Sequence, residues 1–180
     1  MTTWIGLLRG INVGKAKRLA MADLRRLVEE AGYSDARTLL NSGNVVFRGQ
    51  AGAPAGVAAR LEQGIERVAG FHADVVAITA ATLATIVEQN VLAARADDHA
   101  RLLVAFVQDG ARLDVLRPIA ARDWGEEAMA VGSHAAYVWS PRGVLESSAL
   151  DAVGRALTAP VTTRNWATVQ KLATLAGASS

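Results

Sequence analysis

The chain has 180 residues, of which 51% are hydrophobic and 20% are charged, with 19 Lys and Arg against 17 Asp and Glu. This balance excludes an intrinsically disordered chain, and the length suits one compact domain or two small ones. The sequence contains no cysteine, which excludes disulfide bonds and thiolate metal sites.

The first half of the chain alternates between apolar runs and amphipathic segments. Apolar spacing, turn residues and breakers predict, in order, a strand at 4–8, a helix at 24–31, strands at 36–40 and 45–47, a helix at 57–68 and a strand at 73–78. The order is strand, helix, strand, strand, helix, strand. It is typical of a ferredoxin-like α+β unit.

The second half repeats much of this pattern. It predicts a connecting helix at 79–88, a linker at 95–99, a strand at 102–107, a short helix at 113–116 that ends before Pro118, strands at 128–131 and 135–139, and helices at 150–157 and 169–176. We therefore predict an α+β protein of two ferredoxin-like (βαββαβ-type) subdomains packed together, residues 1–94 and 95–180, with a helix at the C-terminus.

The charges are unevenly distributed. Residues 1–50 carry eight basic and four acidic side chains, residues 51–150 carry eight and twelve, and residues 151–180 carry three and one. If the fold brings the two basic ends together, they form a cationic face that attracts phosphate or carboxylate groups. The alternative is an ordinary solvated surface of mixed charge.

Four polar or flexible residues follow the first predicted strand, namely Arg9, Asn12, Gly14 and Lys15. Backbone NH groups at a glycine beside two cations can form an anion-binding concavity. The segment is not a Walker A loop, because Gly10 and Gly14 are only four apart and Ala16 follows the lysine. The alternative is that the glycines permit a tight loop and that Asn12 bonds its own backbone.

The predicted hairpin turn contains Asn41, Ser42 and Asn44. Turn formation alone explains these residues, because Asn and Gly tolerate left-handed torsions and Asn side chains cap local NH groups. The alternative is that the amides join the loop after the first strand, since the first and third strands of a ferredoxin-like sheet are neighbours.

A third polar segment, 163–165, precedes the last predicted helix. Thr163 or Asn165 suits the N-cap of a helix that begins near Trp166. Arg164 is not explained in this way, because a cation at a helix N-terminus costs about 0.3 to 1 kcal/mol unless an anion offsets it. Its partner is either an internal acid, such as Asp23 or Asp35, or an anionic ligand.

Other chemically active residue types form no recognisable pattern. The histidines, at 72, 99 and 134, are isolated, and neither a zinc-binding motif nor a nucleophile elbow occurs. Trp4 and Phe47 lie on neighbouring predicted strands, where core packing is favoured over stacking against RNA bases. We assign no catalytic residue, no metal site and no cofactor.

The sequence also bears on the compartment. The opening apolar run has no basic segment before it and no cleavage site after it, and no apolar stretch is long enough to span a bilayer. We expect a cytoplasmic protein without a membrane partner. The oligomeric state is left open.

Three segments together carry a family resemblance: Leu7–Gly14 (LLRGINVG), Leu40–Phe47 (LNSGNVVF) and Thr162–Leu172 (TTRNWATVQKL). In this order they resemble the bacterial family known as domain of unknown function 1697. The resemblance implies a two-part α+β fold and no established activity. The chain departs from the family pattern at Asn90–Leu92, where Asn-Pro-Phe is usual, and at Ser147–Leu150, where a Ser-Lys-Leu-like stretch is usual, so no role of that lysine is transferred.

Our functional hypothesis from the sequence is a small protein that binds an anionic ligand, either a nucleotide or a nucleic-acid phosphate. Alternatives are an enzyme that acts on a phosphorylated small molecule, and a structural or interaction subunit. The predicted ligand-binding residues are Arg9, Asn12, Gly14, Lys15, Asn41, Ser42, Asn44, Thr163, Arg164 and Asn165.

Overall fold

The computed structural model describes residues 1–158 and 160–177. Its strands are β1 (Thr2–Leu8), β2 (Ser34–Leu39), β3 (Asn44–Gly49), β4 (Val75–Thr79), β5 (Leu102–Phe106), β6 (Ala128–Val131), β7 (Ala135–Trp139) and β8 (Thr162–Asn165). Its α-helices are α1 (Met21–Glu30), α2 (Pro54–Ala69), α3 (Ala80–Glu88), α4 (Arg117–Ala120), α5 (Ser148–Ala156) and α6 (Trp166–Ala176). Two 3₁₀ helices cover Gly110–Leu116 and Val144–Glu146.

The chain divides into two compact units. The first unit comprises residues 1–81 together with the described residues from Thr174 onward, and the second comprises Thr82–Ala173. The boundary predicted between residues 94 and 95 therefore lies inside the second unit.

The first unit is a four-stranded antiparallel sheet with two helices. The strand order is β2-β3-β1-β4, so β1 and β3 are central and β2 and β4 are edges. Pro54 begins α2, where its missing NH is not needed, and Gly70 closes it in the left-handed conformation. Trp4 and Phe47 lie with apolar residues of α1 and α2 in one core, so the prediction that both rings pack inside is confirmed.

The edge strand β2 of this sheet is irregular. Its pairing with β3 shifts between Ser34 and Arg37, and Asp35 has a positive φ of 54°. The Nη2 atom of Arg37 donates a hydrogen bond of 2.9 Å to the carbonyl oxygen of Leu175 in α6. The edge is thus bulged and linked to the last helix.

The second unit repeats the architecture. Its antiparallel strand order is β6-β7-β5-β8, and its core combines apolar residues of the sheet with residues of α5 and of the first 3₁₀ helix. Tyr137 is fully buried, and its hydroxyl donates a 2.7 Å hydrogen bond to the carbonyl oxygen of Ile86. Burial raises the pKa of this hydroxyl.

Two local predictions differ from the structure. The segment 162–165 is a strand, β8, paired with β5, whereas the sequence analysis assigned it only to the approach to a helix. The 3₁₀ helix ends at Leu116 as expected, but α4 follows at once, because a proline at 118 fits the first turn of an α-helix.

The α+β fold class is confirmed. Each unit holds a four-stranded antiparallel sheet with helices, and α6 is the C-terminal helix. In the described part of the chain, no helix is both long enough and apolar enough to cross a membrane.

Candidate functional site

The segment between β1 and α1, residues 9–20, is hereafter the cationic loop. Its beginning is fixed by two backbone hydrogen bonds: the NH of Leu8 donates to Gly43 (2.8 Å) and the NH of Arg9 donates to Asp74 (2.9 Å). Gly43 belongs to residues 40–43, hereafter the hairpin loop, which connects β2 to β3. The beginning of the cationic loop therefore lies beside the end of the hairpin loop.

Asn12 joins the two loops through its side chain. Its Nδ2 donates to the carbonyl oxygens of Leu19 (2.9 Å) and Asn41 (2.8 Å), and its Oδ1 accepts from the NH of Leu19 (3.0 Å). Its own NH donates to Lys17 O (3.0 Å), and its φ is 54°. The predicted alternative was that Asn12 bonds its own backbone, whereas its side chain bonds backbone groups 7 and 29 residues away.

Asn44 closes the hairpin loop from inside. It has no exposed surface, and its Nδ2 donates to Leu39 O (2.8 Å) and to Ser42 Oγ (3.0 Å). Gly43 has a φ of 85°, and a Cβ at that position would lie 2.6 Å from the Cβ of Leu8. The turn chemistry predicted for this segment is therefore present, and the Asn44 amide shapes the loop.

The cationic loop carries four basic residues, Arg9, Lys15, Lys17 and Arg18, and no acidic one. All four are exposed. Within residues 1–158 and 160–177, none of these four side chains forms an ion pair or a hydrogen bond. Arginines elsewhere in the same unit do pair: Arg26 with Asp23, Arg48 with Asp35, and Arg67 with Glu30.

The backbone of the cationic loop alternates in the sign of φ over residues 10–14, and Lys17 has a further positive φ of 52°. Gly10, Asn12 and Gly14 have φ values of 69°, 54° and 64°, whereas the intervening residues do not have positive φ. Alternation between left- and right-handed torsions is the pattern of backbone nests, which turn successive NH groups toward an anion. The torsions also explain both glycines, as the sequence analysis anticipated.

Arg164 lies on the edge strand β8 opposite Val104 of β5. Its Nη1 donates to Thr162 Oγ1 and to the carbonyl oxygen of Thr163, both at 2.8 Å. Burial lowers its pKa to about 10, so the guanidinium remains charged at neutral pH.

The residues beside Arg164 have separate positions. Asn165 is the N-cap of α6, because its Oδ1 accepts the NH of Thr168 at 2.9 Å, and Thr163 is exposed on the strand. Of the two N-cap candidates, Asn165 is thus the correct one. The two acids considered as partners for Arg164, Asp23 and Asp35, form ion pairs with Arg26 and Arg48.

The predicted site residues therefore fall into two groups. The first unit brings together those of the two adjoining loops and of the start of β3, namely Arg9, Asn12, Gly14, Lys15, Asn41, Ser42 and Asn44. The second unit holds Thr163, Arg164 and Asn165 on β8 and at the start of α6. That the residues of either group bind a ligand stays a prediction.

The cationic loop contains two cations that are not among the predicted ligand-binding residues. Lys17 and Arg18 belong to the same loop as Arg9 and Lys15, and the charge run at 15–18 was the available signal. Among histidines, His72 contacts Asp74 at 3.2 Å on the surface. The described residues contain no group of three or more His, Cys, Asp or Glu side chains arranged to hold a metal ion.

Comparison with solved structures supports the fold. The chain is similar to the conserved bacterial protein SP0830 from Streptococcus pneumoniae, with a TM-score of 0.74 and 24% sequence identity over 97% of this chain and 98% of the other. At this identity the likeness supports the fold alone. No curated protein matches the chain.

The family comparison covers most of the sequence. The family described as "Protein of unknown function (DUF1697)" matches residues 1–137, which include the cationic loop and the hairpin loop. The third resembling segment, Thr162–Leu172, lies beyond the matched range. The resemblance is nevertheless confirmed, and the chain belongs to the DUF1697 family, whose function is unknown.

Proposed function

We propose that the protein binds a phosphate-bearing anion, such as a nucleotide or a nucleic-acid phosphate, at the cationic loop. The observation that carries the proposal is the set of four exposed cations that pair with no carboxylate in the described residues. A cluster of one sign attracts the opposite charge and raises its local concentration.

The shape of the loop supports the same function. Two side-chain hydrogen bonds of Asn12 close the cationic loop on Leu19, and a third holds it to the hairpin loop at Asn41, so little conformational entropy is lost when a ligand binds. In the described residues, the NH groups of Val13 and Gly14 donate to no protein acceptor, which leaves them available to an anion.

The candidate residues then divide by role. Positive charge comes from Arg9, Lys15, Lys17 and Arg18. Gly14 has no side chain and lets the anion come close to the backbone. Asn12, Asn41, Ser42 and Asn44 act indirectly, because their hydrogen bonds hold the loops in place. The predicted role of Thr163, Arg164 and Asn165 in ligand binding is a separate part of the proposal.

Isothermal titration calorimetry with sodium pyrophosphate and with ATP tests the proposal. The double variant Lys15→Ala/Lys17→Ala is expected to weaken binding by at least about tenfold, because each charged hydrogen bond contributes about 1.5 to 3 kcal/mol. The affinity should also fall as NaCl is raised, since salt screens exposed charges.

The matched control removes two exposed cations of the second unit, Arg112→Ala/Arg122→Ala, and should leave the affinity unchanged. Equal weakening in both double variants would mean that only net charge matters and would contradict a specific loop site. Failure of the wild-type protein to bind either anion would also contradict it. Arg164→Met tests the predicted contribution of that residue separately.

A further inference from the structure

Two large aliphatic side chains lie beside the cations. Val13, in the cationic loop, is 73% exposed, and Leu40, in the hairpin loop, is 53% exposed. Each is the chain neighbour of a member of the Asn12–Asn41 hydrogen bond, so the two residues flank the contact between the loops. The cationic surface thus contains aliphatic positions.

Leu40 is held in an unfavourable conformation. Its φ is 59°, in the left-handed region that side chains other than Gly, Asn and Asp rarely adopt. A leucine here carries both the torsional cost and the cost of exposing apolar surface to water. Asn would reduce both costs, so the folded state alone does not account for leucine at this position.

The nature of the side chains indicates the partner. The two loops, residues 9–20 and 40–43, contain no aromatic residue, whereas proteins that bind single-stranded nucleic acids stack bases on aromatic rings. Cations together with exposed aliphatic groups match a surface that presents anionic headgroups above hydrocarbon.

We propose that the cationic loop and the hairpin loop together dock on an anionic lipid surface, with lysine and arginine at the headgroups and with Val13 and Leu40 in the acyl region. This inference rests on the proposed function, because the lipid headgroup supplies the phosphate. The inference departs from the expectation that the protein has no membrane partner. That expectation rested on the lack of a membrane-spanning segment, and a peripheral contact needs no such segment.

Co-sedimentation with large unilamellar vesicles tests the inference. The wild-type protein should bind vesicles of phosphatidylglycerol and phosphatidylcholine, one to one, and should not bind vesicles of phosphatidylcholine alone. Leu40→Asn should lower the partition coefficient by about fivefold to tenfold, since it removes an aliphatic side chain that the lipid would bury. Its melting temperature should stay the same or rise, because Asn tolerates the left-handed torsion.

Val13→Ser should also reduce vesicle binding, and Leu40→Asn should leave the affinity for pyrophosphate unchanged. Controls are Val115→Ser and Leu145→Ser, which remove exposed aliphatic groups of the second unit and should have no effect. Unchanged vesicle binding in Leu40→Asn and Val13→Ser would overturn the inference.

The two proposals can fail separately. Pyrophosphate binding without vesicle binding would overturn the lipid inference and leave the proposed function standing. Retention by duplex DNA, with no binding to the mixed vesicles, would overturn it in favour of a nucleic-acid partner.

Discussion

The two units share one strand order but differ in the connection that follows their first strand, β1 or β5. In the first unit, residues 9–20 link β1 to α1 and carry four cations. In the second unit, residues 107–109 make the equivalent link from β5 to the first 3₁₀ helix, and Asp109 caps that helix by accepting the NH of Ala111 at 3.0 Å. Three residues are therefore enough to connect the first strand of this architecture to the helix that follows it.

This difference teaches that the cationic loop is not a requirement of the topology. A longer loop costs more conformational entropy on folding, and four clustered cations repel one another. In the first unit the side chains of Asn12 and Asn44 offset part of that cost by fixing both loops. Substitutions in the two units can therefore separate what the fold needs from what the proposed site needs.

The largest effect is expected at Gly43. Gly43→Ala should destabilise the first unit by more than about 3 kcal/mol, because the added Cβ would meet Leu8 at 2.6 Å in a left-handed torsion. Urea unfolding would measure this loss of stability. It is followed by the fluorescence of Trp4 in proteins whose other tryptophans have been replaced. Gly70→Ala, also in the first unit, is the control, since its φ is positive but nothing lies within 4 Å of the added atom, and it should cost only about 1 kcal/mol.

Asn44→Ala is expected to have the next largest effect. The substitution leaves the carbonyl oxygen of Leu39 without the amide donor and opens a small cavity at the buried Asn44 position, which together cost about 2 to 3 kcal/mol. The same urea experiment measures it. A cost below about 0.5 kcal/mol would mean that the hairpin loop does not depend on this amide.

Asn12 links stability to binding. Asn12→Ala should cost about 1 to 2 kcal/mol and should weaken pyrophosphate binding severalfold, because it releases the cationic loop. Asn12→Gly tolerates the φ of 54°, so comparing the two variants separates the torsion from the hydrogen bonds. If both variants bind pyrophosphate as well as wild type does, preorganisation of the loop is not needed.

The smallest effect is expected in the short connection of the second unit. Asp109→Ala should cost about 0.5 to 1 kcal/mol through loss of the cap and should leave pyrophosphate binding unchanged. A clear loss of binding would show that the ligand also depends on the second unit and would weaken the contrast between the two connections.

Much of the fold was predictable because its elements follow simple periodicities. The strands at 128–131 and 135–139 have the predicted bounds, and the helices follow their apolar spacing. Strand β8 was missed because four polar residues beside a helix start resemble a cap, and its pairing with β5 is about sixty residues distant in sequence.

The site was predictable only in part. The residue types and turns at 9–15 and 41–44 indicated polar loops with left-handed torsions, and the structure has them. The hydrogen bond between Asn12 and Asn41 spans 29 residues, and no local pattern encodes it. The positive φ of Leu40 is also invisible in the sequence, because leucine is not a residue expected there.

The bulged edge strand β2 has a consequence for how the protein behaves at high concentration. An open strand edge can recruit a strand from another molecule and seed aggregation. The register shift between Ser34 and Arg37, the left-handed Asp35 and the guanidinium bond to Leu175 interrupt the regular row of backbone donors and acceptors. This side of the first sheet is therefore a poor template for intermolecular β-pairing, and the chain gains resistance to fibril formation there.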